Sequence, residues 1–159
     1  MLIIVGAKYL LWVLIGLVLV WFLRLSKEKQ KSFILFGATA LPLIYAVAKL
    51  IGMFYYNPRP FVVGDFTPLI PHEPDNGFPS DHTLLAAAIA TVVYSFSKKA
   101  GLLFWIFTAL ISFSRVLSGI HHPIDILGSI TISILTGFIS ASNQLLPGVA
   151  CKKRTGPRV

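Results

Sequence analysis

Cysteine is almost absent. Cys151 is the only one in 159 residues, so no internal disulfide can form, and this thiol near the C-terminus reads as inert. Acidic residues are scarce too, six against fourteen lysines and arginines. Charge is thin at 13%, against 55% hydrophobic residues and a mean hydropathy of +0.78. Water-soluble domains are not built from such a composition. Internal repeats and low-complexity segments are also lacking, which leaves one bundle and no second domain. The net charge of +8 then marks the cytoplasmic loops of a membrane protein, not a nucleic-acid surface.

What is present is a series of apolar runs. They predict an all-α, polytopic membrane bundle with about five transmembrane helices, a single domain over 1–159. The spans fall at about 2–23, 33–56, 80–97, 101–117 and 123–146, each long enough or nearly so to cross a ~30 Å core at ~1.5 Å per residue. The first run is too apolar for too long to be a signal peptide, and no small-residue cleavage site precedes Arg24. Lys8 lies near its outer end and can snorkel. Pro42 predicts a kink in the second span, and Tyr55 and Tyr56 suit the membrane–water boundary. The connector 57–79 is long and proline-rich, with Asp65, Glu73 and Asp75. Its Phe61, Val62, Val63, Phe66, Leu69 and Ile70 suit the interface, so it reads as a functional loop rather than a spacer.

Five spans give a parity test. With Arg24, Lys27, Lys29 and Lys31 in the cytoplasm, Lys98-Lys99 and the tail residues Lys152, Lys153, Arg154 and Arg158 fall there as well. The N-terminus then lies outside and the C-terminus inside. Three polar stretches meet at the outer face: Asn57-Pro58-Arg59-Pro60, Pro79-Ser80-Asp81-His82, and the segment from Ser114-Arg115 to Asp125. Proline is at home in a first helical turn, so Pro123 predicts a helix starting near His122. His121 and Asp125, four apart, then share a face, and the carboxylate can orient the imidazole. Ser80 reads as a helix N-cap. Two arginines, two histidines and two helix N-termini with unpaired amides make equipment for phosphate. Small residues at steps of four, Ala86 and Ala90 below His82, and Ser129, Ser133, Gly137 and Ala141 below Asp125, predict that spans three and five pack along these ridges.

These stretches resemble the motifs of the type 2 phosphatidic acid phosphatase superfamily: a lysine followed by Arg-Pro, then Pro-Ser-Gly-His, then Ser-Arg, five residues, His, three residues and Asp. Arg59-Pro60, Pro79 to His82, and Ser114-Arg115 with His121 and Asp125 stand in those places. Two positions depart. The family lysine, seven residues before the arginine, is Gly52 here, with Lys49 one turn deeper, where it either reaches up as a substitute or pairs elsewhere. The second-motif glycine is Asp81, which either turns away from phosphate or holds an arginine. The Pro-Ser-Asp-His variant and the short chain resemble the bacitracin-resistance type of undecaprenyl-diphosphatase.

The resemblance implies hydrolysis of a polyprenyl diphosphate to the monophosphate and phosphate. His121 would attack phosphorus, Asp125 would hold its ring, and His82 would serve as acid and then base, although residue types alone let the histidines exchange roles. Arg59, Ser80 and Arg115 would bind phosphate, with Lys49 and Asp81 beside them. No cofactor is implied: each histidine has a phosphate role, and the arginines would repel a metal ion. His72 reads as ordinary loop polarity that could touch the diphosphate, and His122 as a boundary residue. The implied partners are the lipid substrate and the bilayer, with no nucleic acid; no feature of the chain fixes an oligomeric state. Rival readings are a phosphatidylglycerophosphate or phosphatidic acid phosphatase, a non-catalytic lipid-binding bundle, a channel or transporter subunit, and a haloperoxidase-like oxidant.

Overall fold

The structure is a computed structural model that describes residues 1–143. Cys151, the basic tail and the end of the fifth predicted span lie outside the described residues. The chain is all-helical: α1 (Leu2–Leu23), α2 (Lys27–Phe54), the short α3 (Pro60–Val63), α4 (Asp81–Phe96), α5 (Lys98–Leu117) and α6 (Pro123–Asn143). Four of these, α1, α2, α5 and α6, are long and apolar enough to cross a membrane. The fifth, α4, has 16 residues, about 24 Å at the usual rise.

The basic connector is largely helical. Ser26 caps α2, its hydroxyl accepting from the Lys29 N–H, so Lys27, Lys29 and Lys31 ride on the first turns of α2. At the other turn on this end, Ser97 closes α4 and caps α5, its Oγ accepting from the Ala100 N–H at 3.3 Å. Gly101 lies against Tyr94 so closely that a Cβ there would collide, which lets α4 and α5 pack as a tight antiparallel pair.

The centre of the bundle is α4. It packs on α5, α6, α2 and α1, and every residue from Ala86 to Val93 is buried. Its alanines explain this: small side chains let four neighbours approach one helix. The packing corrects the predicted ridge. On α6 the small face is as expected, with Ser129 and Ser133 donating to the Ser80 and Leu84 carbonyls at 3.1 Å each and Gly137 lying against Thr91. On α4 the face that meets α6 carries Ser80, Leu84 and Thr91, whereas Ala86 and Ala90 pack with Leu11 and Leu14 of α1 and Ile111 of α5. Residues two apart stand roughly 200° apart around a helix, so the His82 side of α4 faces away from the Ser80 side.

The connector 57–79 is ordered by packing. Ile70 is buried with Ala7 and Ile120, and Phe61 packs against them. The Leu69 N–H donates to the Ser118 carbonyl at 3.0 Å. Val62, Val63, Phe66 and Leu69 stay exposed. The turn between α5 and α6 reverses at Gly119, whose φ of +79° suits glycine, with the Phe66 ring lying over it.

Candidate active site

The site lies where the C-terminal ends of α2 and α5 meet the N-terminal ends of α4 and α6. Its frame is built by a residue outside the motifs. Asn76 donates to the Gly52 and Tyr55 carbonyls at 3.1 and 3.0 Å, satisfying the end of α2. Its Oδ1 accepts from the Asn57 and Phe78 N–H groups at 2.9 and 3.0 Å. The loop is thereby folded back on α2, and Arg59 is aimed inward. That side chain is 6% exposed; its Nε meets Asp75 Oδ1 at 2.6 Å, and its Nη1 donates to the Ile120 carbonyl at 2.9 Å.

Arg115 sits in the last turn of α5 and is 4% exposed. Its Nη1 donates to the Ala7 carbonyl of α1 at 3.3 Å. Both arginines converge on one atom: His121 Nε2 lies 3.4 Å from Arg59 Nη1 and 3.3 Å from Arg115 Nη2. On the other side of the ring, His121 Nδ1 lies 3.3 Å from Asp125 Oδ2.

Asp125 is fully buried and has two further partners. Its Oδ2 accepts from the His122 N–H at 2.8 Å and its Oδ1 from Asn57 Nδ2 at 2.7 Å. The first of these is a capping interaction, a carboxylate in the first turn reaching back to the amide that precedes the helix. A neutral imidazole carries one donor and one acceptor. With a carboxylate at Nδ1 and two guanidiniums at Nε2, the tautomer that satisfies all of them puts the proton on Nδ1 and the lone pair on Nε2.

His82, Asp81 and Lys49 line the same cavity as Arg59, Arg115 and His121, about 460 Å³ in volume. Ser80 does not. It is the N-cap residue of α4 by position but makes no side-chain cap bond, and its Oγ, like Arg115 Nε, is buried without a hydrogen-bond partner among the described residues. Unpaired buried groups cost about 1–3 kcal/mol each. Lys49 Nζ pairs with Asp81 at 3.1 Å. Asp81 therefore holds a lysine and not an arginine, and Lys49 points at Asp81.

His72 lies in the loop and also stands at the site. It lines the cavity, its Nε2 lies 3.5 Å from Arg115 Nη2, and its ring centre is 6.3 Å from that of His121. Burial, then the charges of Arg59 and Arg115, push its pKa below the usual histidine value. His121 is pushed the same way: burial lowers it, the Asp125 hydrogen bond opposes, and Arg115 and Arg59 add to the lowering. Asp75 is held below the usual carboxylate range; burial would raise it, but the Arg59 hydrogen bond and charge outweigh that. Asp75, Asn76 and His72 carried no motif. Their only signal in the sequence was a cluster of polar residues in an otherwise apolar loop.

Such an arrangement can bind a tetrahedral anion between two guanidiniums and present a lone pair to its centre. Among the described residues no group of three His, Cys, Asp or Glu side chains is placed to hold a metal ion.

Comparison with known proteins agrees with this architecture. The bacitracin transport permease protein BcrC of Bacillus licheniformis is 32% identical over 132 residues, 82% of this chain and 64% of that protein. The undecaprenyl-diphosphatase BcrC of Bacillus subtilis is 38% identical over 114 residues, 72% of this chain and 58% of that protein. The chain thus spans about six-tenths of the length of these curated relatives. Among solved structures, Aquifex aeolicus LpxE superposes with a TM-score of 0.66 at 27% identity, covering 89% of this chain and 81% of that one. A PAP2-type phosphatidylglycerolphosphate phosphatase from Bacillus subtilis gives a TM-score of 0.57 at 24% identity over 89% and 72% of the two chains, a likeness of fold alone. The family model described as the PAP2 superfamily matches residues 31–145. That match starts in the first turns of α2 and runs through α6, carrying every motif that lines the cavity, and on it this membrane protein belongs to the PAP2 superfamily.

Proposed function

We propose that this chain is a metal-independent membrane lipid phosphatase that converts undecaprenyl diphosphate to undecaprenyl phosphate and inorganic phosphate through a phosphohistidine. One observation carries the reading: His121 Nε2 lies within 3.3–3.4 Å of two buried guanidiniums while Nδ1 faces a fully buried carboxylate. Binding alone does not call for a lone pair held at the centre of an anion site.

In the reaction, Arg59 and Arg115 turn from the ring onto the oxygens of the terminal phosphoryl group, since guanidinium forks match phosphate geometry. The amides in the first turn of α4, left without a side-chain cap by Ser80, add donors where charge develops. The His121 Nε2 lone pair forms a bond to phosphorus as the bridging P–O bond breaks. Protonated His82 gives its proton to the leaving lipid phosphate. Asp125 accepts the Nδ1–H and stabilises the charged ring. Neutral His82 then takes a proton from water, whose oxygen attacks phosphorus; the N–P electron pair returns to Nε2, and phosphate departs. The lowered pKa of His121 favours the neutral ring that this attack requires.

The polyprenyl diphosphate follows from the likeness to the BcrC proteins, one of which is named for that activity. Basic residues gather on the end of the bundle opposite the site, at Arg24, Lys27, Lys29, Lys31, Lys98 and Lys99, which supports a site on the extracytoplasmic face, with the N-terminus outside and the C-terminus in the cytoplasm. The decisive assay is phosphate release from a panel of polyprenyl diphosphates and phosphoglycerides in EDTA, beside His121→Ala, with acid-quenched ³²P trapping. The expected result is release from the polyprenyl diphosphate and label on His121. Label on His82 alone overturns the assignment of roles, and binding without any release favours a non-catalytic bundle.

A further inference from the structure

Lys49, one turn before the position where the family pattern has its lysine, touches Asp81, which stands in place of the pattern's glycine. Lys49 Nζ donates to both Asp81 oxygens, at 3.1 and 3.4 Å, and both residues line the cavity. At Gly52, where the pattern has a lysine, a Cβ would sit 3.2 Å from the Phe78 carbonyl oxygen and 3.3 Å from Pro79 Cδ. The loop packs onto α2 there and leaves little room for a side chain. The positive charge stands one turn earlier on α2 than the pattern has it, and a carboxylate on α4 meets it. The side chains are 47% and 62% exposed, and ion pairs so open to solvent add little to stability. A structural role explains the pair poorly, and opening it is easy.

We infer that Lys49 is a specificity-determining residue that receives the phosphate retained on the lipid, with Asp81 holding its ammonium in place until that phosphate arrives. The inference rests on the phosphatase reading above. Arg59, Arg115 and His121 take the phosphoryl group to be transferred, and Lys49, Met53 and Asp81 are among the other residues that wall the cavity. A lipid monophosphate gains nothing from this wall. A diphosphate brings a second anion, which replaces Asp81 as the partner of Lys49 while the carboxylate turns to water. Without Lys49, the Asp81 charge faces the retained phosphate and repels it. Removing both charges together relieves that repulsion.

The test is kcat/KM of purified protein in detergent with farnesyl diphosphate and with farnesyl monophosphate. For Lys49→Met the diphosphate-to-monophosphate ratio should fall about 10- to 100-fold, the size expected for one charge-assisted contact. Lys49→Arg should keep most of the ratio, and Asp81→Asn added to Lys49→Met should recover part of it. Lys49→Gln reads the same ratio should the methionine variant fail to fold. A wild-type enzyme that hydrolyses the diphosphate, with a ratio unmoved in both Lys49→Met and Lys49→Gln, overturns the inference and leaves the phosphatase reading standing. Absence of phosphate release by wild type from any lipid removes both.

Discussion

Asp125 and Asn57 stand 68 positions apart in the chain and share a 2.7 Å hydrogen bond. That contact ties the end of α2 to the start of α6 and fixes the carboxylate that faces His121. Gly77 passes directly over it: a Cβ there would sit 3.0 Å from Asp125 Oδ2 and 3.1 Å from the Asn57 carbonyl oxygen. The nucleophile proposed here is therefore positioned from three separate segments.

Asp125→Asn keeps the shape and removes the charge. An amide that turns its nitrogen toward His121 would favour the tautomer with the proton on Nε2, the nitrogen proposed to attack. By comparison with the same change behind the histidine of serine proteases, kcat should drop on the order of 10³- to 10⁴-fold, with the variant still monodisperse in detergent. Steady-state phosphate release reads it. A loss under tenfold would remove Asp125 from the orienting role.

The pH profile of kcat/KM reports the free enzyme. Protonation of His121 removes the attacking lone pair, so activity falls as pH falls. Because burial and the two arginines lower the pKa of this residue, the acid limb should lie below the ordinary histidine value of about 6.5. The Asp125 hydrogen bond raises that pKa, so residual activity of Asp125→Asn should show a limb moved to still lower pH.

Asp75 lines the cavity and holds Arg59 Nε at 2.6 Å. Asp75→Asn should lower kcat/KM roughly 10- to 100-fold, as loss of a hydrogen bond between charged groups does, while the exposed neighbour Glu73→Gln should change little. The split is informative: an Arg59 that still binds but no longer aligns should lower kcat more than it raises KM.

Gly128 on α6 lies flat against the Phe78 ring. Gly128→Leu must displace that ring, and with it the turn into α4. Overpacking of this kind costs about 1–3 kcal/mol, visible as a lower midpoint of thermal unfolding in detergent. Gly16→Leu on α1, where a Cβ meets nothing within 4 Å, should leave the midpoint unchanged.

The apolar runs made the helices legible, because a span must satisfy its own backbone. Arg59, Arg115, His121 and Asp125 were legible because their chemistry shows in residue type and spacing. The hydrogen bonds of Asn57, Asp75 and Asn76 were not, and His72 was legible only as a loop residue that could touch the diphosphate, since an irregular loop has no period from which a facing residue can be read. The Lys49–Asp81 pair depends on the register between α2 and α4, which neither helix encodes alone. Ala86 and Ala90 misled for a related reason: small residues mark a close-packed face but do not say which neighbour takes it.

The Ala7 carbonyl that holds Arg115 belongs to α1, which the family model, matching 31–145, does not reach. Gly6 beside it lies against Ser114 with no space for a side chain. One of the two guanidiniums beside His121 is thus steadied by a helix that carries no signature residue. Drift along α1 can retune turnover while every hallmark of the superfamily stays intact, and a fragment trimmed to those hallmarks would keep the fingerprint but slacken the grip.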